Sequence, residues 1–197
     1  NNGEGELRDY KLDRYWFTKV AEKGDAGTQS RLGSVRYVGE GTTQDYKQAV
    51  YRYTKAAEQG DANSQFQLGF MFYEGEGTPQ DYKQALYWHT KAAEQGLVVA
   101  QYNLGLLYKD GEGTPQDYKQ AIYWYTKAAE QGVASAKYNL GFMYQNGEGT
   151  PQDYKQAIYW YTKAAEQGHV SAQHNLGFVY KNGEGTPQDY KQAIYWY

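Results

Sequence analysis

Cysteine is absent from the 197-residue chain. Disulfides and thiolate metal sites are therefore excluded, and cysteine usage says nothing of the redox compartment. Histidine occurs only as His89, His169 and His174. No two of these stand at the spacing that lets one helix face hold a metal, so no metal site is expected. Neither charge sign dominates: 20 Lys and Arg face 23 Asp and Glu, for a net charge of −3. That balance supplies no field to draw in a nucleic acid or an anionic membrane, and neither partner is expected. Apolar runs are only a few residues long, so membrane insertion is not expected. The opening residues Asn1-Asn2-Gly3-Glu4-Gly5 are polar, unlike a leader peptide. No Asn-x-Ser/Thr sequon occurs, and localisation stays unassigned.

Tyrosine, by contrast, is abundant, with 23 copies, and glycine matches it with 23. Both are explained by an internal repeat. Gly24, Gly60, Gly96, Gly132 and Gly168 each close a Glu-Gln-Gly or Glu-Lys-Gly segment, at steps of 36 residues. Gly-Glu-Gly triplets opening at Gly3, Gly39, Gly75, Gly111, Gly147 and Gly183 keep the same step. The chain divides into a partial repeat 1–24, repeats 25–60, 61–96, 97–132 and 133–168, and a truncated repeat 169–197. Residues 1–197 are one array. It starts inside a connector and stops part-way along a helix, which suggests a piece of a longer array or ends covered by partners.

One unit reads as two helices. The first runs from about Val98 to Lys109, with Leu104, Leu107 and Tyr108 at helical spacing. Gly111 is placed to take the left-handed conformation that ends it. The second is expected to start at Thr114 as N-cap with Pro115 in the first helical position and Asp117 bonding back to the cap. Tyr118, Ala121, Tyr125 and Ala128 then form one apolar stripe, and Gly132 closes the helix. The mid-helix glycines Gly33, Gly69, Gly105, Gly141 and Gly177 each cost roughly 1 kcal/mol against alanine, so they signal close backbone approach. Ala121 and its equivalents are the expected facing surface. Stacked helix pairs in register predict an all-α, right-handed α-solenoid.

The unit resembles the Sel-1-like repeat, a relative of the tetratricopeptide repeat. The residues that carry the likeness are Ala136 and Tyr138-Asn139-Leu140-Gly141-Phe142-Met143-Tyr144, the connector Asn146 to Tyr154, and the helix Ala157-Ile158-Tyr159-Trp160-Tyr161 through Lys163 to Gly168. Departures lie near the start: Arg36 replaces an aromatic, Thr43 replaces Pro, and Arg8 to Val20 is a degraded second helix. The absence of cysteine places the chain beside the cysteine-free members. The resemblance implies an interaction scaffold in signalling, secretion, protein quality control or host contact.

Catalysis finds no support. Gly-Glu-Gly lacks the Gly-Lys-Ser/Thr of a phosphate loop, and its glutamate repels phosphate. Asp110, Glu112 and Asp117 do not match a calcium loop. No serine is paired with a histidine by the repeat. No catalytic, cofactor-binding or metal-binding residue is assigned, and the chain is read as no enzyme. Lys119, Lys127 and Glu130 are expected to form a solvated face with helix-supporting charge pairs. The Tyr123-Trp124 and Tyr159-Trp160 pairs read as packing with a half-exposed rim rather than as a stacking platform for bases.

The second helix scarcely changes between repeats, whereas the first varies. Its rows are Ser30, Phe66, Tyr102, Tyr138 and His174; Ser34, Phe70, Leu106, Phe142 and Phe178; and Tyr37, Tyr73, Lys109, Gln145 and Lys181. By likeness to the tetratricopeptide superhelix, first helices line the concave face. The expected partner-binding residues are Phe66, Phe70, Tyr73, Tyr102, Leu106, Lys109, Tyr138, Phe142, Gln145, His174 and Lys181. The second row fits either ordinary core or surface; the third is expected to face solvent. The leading function is a scaffold or adaptor binding a protein or peptide segment there. The other is a structural component whose arrays self-associate into a larger assembly.

Overall fold

The computed structural model describes residues 24–197. The segment Arg8 to Val20, expected to be a degraded helix, lies outside the described residues. Among the described residues are ten α-helices and no strand. They are α1 Ala26–Val38, α2 Tyr46–Glu58, α3 Ala62–Glu74, α4 Tyr82–Glu94, α5 Val98–Asp110, α6 Tyr118–Glu130, α7 Ala134–Asn146, α8 Tyr154–Ala165, α9 Val170–Asn182 and α10 Tyr190–Trp196. Odd-numbered helices are the first of each repeat, even-numbered the second. Neighbouring helices pack pairwise, α1 on α2, α3 on α4, α7 on α8 and α9 on α10. The fold is the expected all-α solenoid. The chain forms two compact units, one ending at Ala100 and the other spanning Gln101–Tyr197.

The connector shows how the sequence ends one helix and starts the next. Gly111 takes φ +74°, as expected, and its N–H and that of Glu112 both donate to Leu107 O, at 2.9 and 3.0 Å. Two carbonyl lone pairs at the end of α5 are thereby satisfied. The chain then doubles back. Gln116 Nε2 donates to Lys109 O at 2.7 Å, and Asp117 N donates to Tyr108 O at 2.8 Å. The second helix consequently begins later than the Thr-Pro signal suggests. Asp117, not Thr114, is the N-cap, with its Oδ1 accepting from the N–H groups of Lys119 and Gln120 at 3.0 Å each. Thr114-Pro115-Gln116 belongs to the connector. Asp45, Asp81, Asp153 and Asp189 likewise cap α2, α4, α8 and α10, each accepting from the N–H three residues on.

The cores follow the predicted stripe. In the first unit Ala49, Tyr53, Ala57, Leu68 and Met71 are buried together, with Trp88 packed against them. In the second, Ala157, Tyr161, Ala164, Ala165, Ala172 and Leu176 do the same. The alanines bring helices close, and the rings supply area, each burying roughly 150–250 Å².

The partner of the mid-helix glycines differs from the expectation. A Cβ on Gly105 would lie 2.6 Å from Cδ1 and Cε1 of Tyr125, and one on Gly141 would lie 2.6 Å from Cδ1 of Tyr161. The glycine makes room for an aromatic ring, not for the alanine of the facing helix. Ala121 is fully buried all the same.

Candidate functional site

The site is built on the first helices, whose buried stripe fixes which side chains face outward. In α7, Ala136, Leu140 and Met143 are fully buried. Helical geometry turns Tyr138, Phe142 and Gln145 away from that stripe. Phe142 is 41% exposed, and its equivalent in α9, Phe178, is 43% exposed. Leu106 in α5 is half-buried. The second row therefore forms surface rather than core. These partly exposed phenylalanines on two consecutive first helices take no part in the cores described above.

Apart from His174, the first row is half-buried. Tyr102 lies 5.8 Å from Tyr125, ring centre to ring centre, and Tyr138 lies 5.8 Å from Tyr161. His169, the N-cap of α9, stacks on Tyr138 at 4.7 Å and 18°. Tyr138 also approaches Phe142 at 6.5 Å. His174 is exposed and meets Tyr197 edge-on at 5.7 Å. The second unit thus brings Tyr138, Phe142 and His169 into one aromatic group. His169 is the member that sequence reasoning missed; its place just before α9 gave no signal of stacking.

The third row is less free than expected. Gln145 Oε1 accepts from Tyr161 Oη at 2.6 Å, and Lys109 Nζ pairs with Asp110 at 3.3 Å. Tyr37 of the first unit donates to Glu76, and burial together with that carboxylate pushes its pKa up to about 12. Lys181 is exposed, as expected, but Tyr73, Lys109 and Gln145 are half-buried. In the first unit Phe66 and Phe70 are half-buried as well, and Phe66 packs on His89 at 5.4 Å.

The second helices present a different surface. Lys119, Tyr123, Lys127 and Glu130 are exposed. Among the described residues no ion pair joins Lys127 to Glu130, contrary to the expected charge pairing. Lys127 Nζ instead sits 5.7 Å from the centre of the Tyr123 ring. Lys55, Lys91 and Lys163 lie likewise over Tyr51, Tyr87 and Tyr159. Trp124 meets Tyr123 edge-on at 4.9 Å. Among the described residues no group of three or more His, Asp or Glu is arranged to hold a metal. No described helix is long and apolar enough to cross a membrane.

Helix pairs repeated at a fixed step define an α-helical repeat protein. The chain belongs to the Sel1 repeat family, whose model matches residues 1–25, 27–61, 62–97, 98–133, 134–169 and 170–197. Proteins of this family serve in general as protein-binding scaffolds without enzymatic activity. The chain is 39% identical to a protective antigen present in uropathogenic Escherichia coli strains and displaying an SLR fold, with a TM-score of 0.88 over 93% of this chain and 39% of that one. It thus spans about two fifths of that protein's length. It is 36% identical to a Sel1 repeat protein from Oxalobacter formigenes, with a TM-score of 0.81 over 88% of this chain and 69% of that one. An immunity protein from Pseudomonas aeruginosa is 25% identical, with a TM-score of 0.50 over 92% of this chain and 69% of its own. Among curated proteins none matches.

Proposed function

We propose that the chain is an adaptor whose second unit binds a protein segment across its first helices, the face expected to be concave. The observation that carries this reading is the exposure of Phe142 and Phe178, 41% and 43%, at equivalent places on α7 and α9. Aromatic side chains anchor interfaces because they bury much area with few rotatable bonds. Tyr102, Tyr138 and His174 flank these anchors in the row beside them, and Lys181 offers an exposed polar contact. The likeness to a protein named as an immunity protein also supports a protein partner.

The second reading is self-association through the outer helices, favoured by the half-exposed Tyr123 and Tyr159. A photo-crosslinking residue placed at Phe142, and separately at Tyr123, distinguishes the two in the native source. The adaptor reading expects a discrete heterologous adduct from position 142 and little from position 123. Adducts between copies of the chain from position 123, with none from position 142, would favour assembly.

A further inference from the structure

Each repeat seats one ring against the mid-helix glycine of the preceding helix. Tyr53, Tyr125, Tyr161 and Tyr197 fill this place against Gly33, Gly105, Gly141 and Gly177. In α4 the ring is His89, set against Gly69 of α3, with Nδ1 3.0 Å from where a Cβ on that glycine would stand. His89 is 2% exposed, and its Nδ1 is occluded with no hydrogen-bond partner. The Phe66 ring also packs against it, tilted by 48°. An imidazole is also shorter than a phenol, whose hydroxyl in Tyr161 reaches Gln145 Oε1 at 2.6 Å.

A neutral imidazole tolerates this seat, because an apolar ring face and a glycine demand nothing of it. An imidazolium does not, since it adds a charge and an N–H donor where no acceptor stands. The charged residues of the elements around it do not compensate. Glu74 on α3, Lys83, Lys91 and Glu94 on α4, and Lys47, Lys55 and Glu58 on α2 are all exposed. Arg52 on α2 is directed to Gln29 Oε1 at 3.2 Å; the half-buried Glu76 after α3 takes the Tyr37 hydroxyl, its Oε2 is buried without a hydrogen-bond partner, and burial alone accounts for the lowered pKa of His89.

We propose that His89 makes the α3–α4 pair acid-labile, so that proton uptake by the buried imidazole opens this repeat in mildly acidic solution while the tyrosine-built repeats stay closed. Burial holds the native pKa down to about 4, against an ordinary 6.5. The unfolded segment therefore binds a proton that the native one refuses. Stability from this site is full above about pH 6.5 and is lost as pH falls toward about 4. The opening equilibrium of the pair should rise on the order of 100-fold between pH 7 and pH 4.

Hydrogen exchange of the full chain at both pH values, corrected for intrinsic rates, tests this. Protection of α3 and α4 amides should fall about 100-fold further than that of α7 and α8. His89→Tyr, which restores the residue used in the other repeats, should abolish the difference. His89→Phe, which keeps a ring but cannot titrate, should abolish it too, even if less stable throughout. Equal acid sensitivity in either variant, or protection of α3 and α4 in the parent that does not change with pH relative to α7 and α8, would overturn the proposal.

Discussion

The ring of Tyr125 lies where Gly105 would carry a side chain: a Cβ there would stand 2.6 Å from two of its ring carbons. Adding even a methyl group forces the ring or the helices to shift. Gly105→Ala gains about 1 kcal/mol of helix propensity, yet a net loss of stability is expected because Tyr125 is fully buried and cannot swing away. Gly105→Leu should cost more, roughly 1–3 kcal/mol net of propensity. At Gly69 the facing ring is the smaller His89, at 3.0 Å, so Gly69→Ala should cost less than Gly105→Ala. Urea denaturation of the three variants gives the order directly.

The start of the second helix offers a sharper contrast. Asp117→Ala removes an acceptor for two backbone N–H groups and should cost about 1 kcal/mol. Thr114→Ala, in the connector, should leave the midpoint nearly unchanged. The reverse order in a denaturation series would restore Thr114 as the cap.

Alkaline pH should unfold the protein through its tyrosines. Burial raises the pKa of Tyr53, Tyr125 and Tyr161, and of Tyr37 to about 12. These groups stay protonated in the native state while the unfolded chain loses their protons near pH 10, so their stability is present below pH 10 and lost as pH rises above it. Absorbance of tyrosinate should rise in two phases, the first with the helices intact. A second rise should then coincide with loss of helical circular dichroism. A single titration near pH 10 with helicity intact would contradict the burial of those rings.

The 36-residue step made the fold legible, because helix pairs in fixed register leave few ways to bury the Tyr–Ala stripe. The caps were less legible. Thr114-Pro115 and Asp117 both carry N-terminal signals, and the choice depends on where Gln116 and Asp117 find carbonyls at the end of α5. The ring facing each glycine was also hidden, since helical spacing places residues on a face without saying which neighbour they meet. The candidate site was legible in part. Its rows follow from helix geometry, but the exposure of Phe142 and the engagement of Gln145 depend on the packed neighbours. His169 joins Tyr138 through the fold of the turn before α9, which the repeat pattern does not encode.

Affinity for the partner captured at position 142 decides whether the first-helix face of the second unit holds it. Phe142 and Phe178 are exposed, so Phe142→Ala with Phe178→Ala should leave helicity and melting temperature close to the parent. Binding should weaken by about 2 kcal/mol or more, as hot-spot anchors do. Lys127→Ala, on the outer face, should change it by less than about 0.5 kcal/mol. A folded double variant that binds as tightly as the parent, with binding lost instead on Tyr123→Ala or Trp124→Ala, would contradict the account and make the outer helices the working surface.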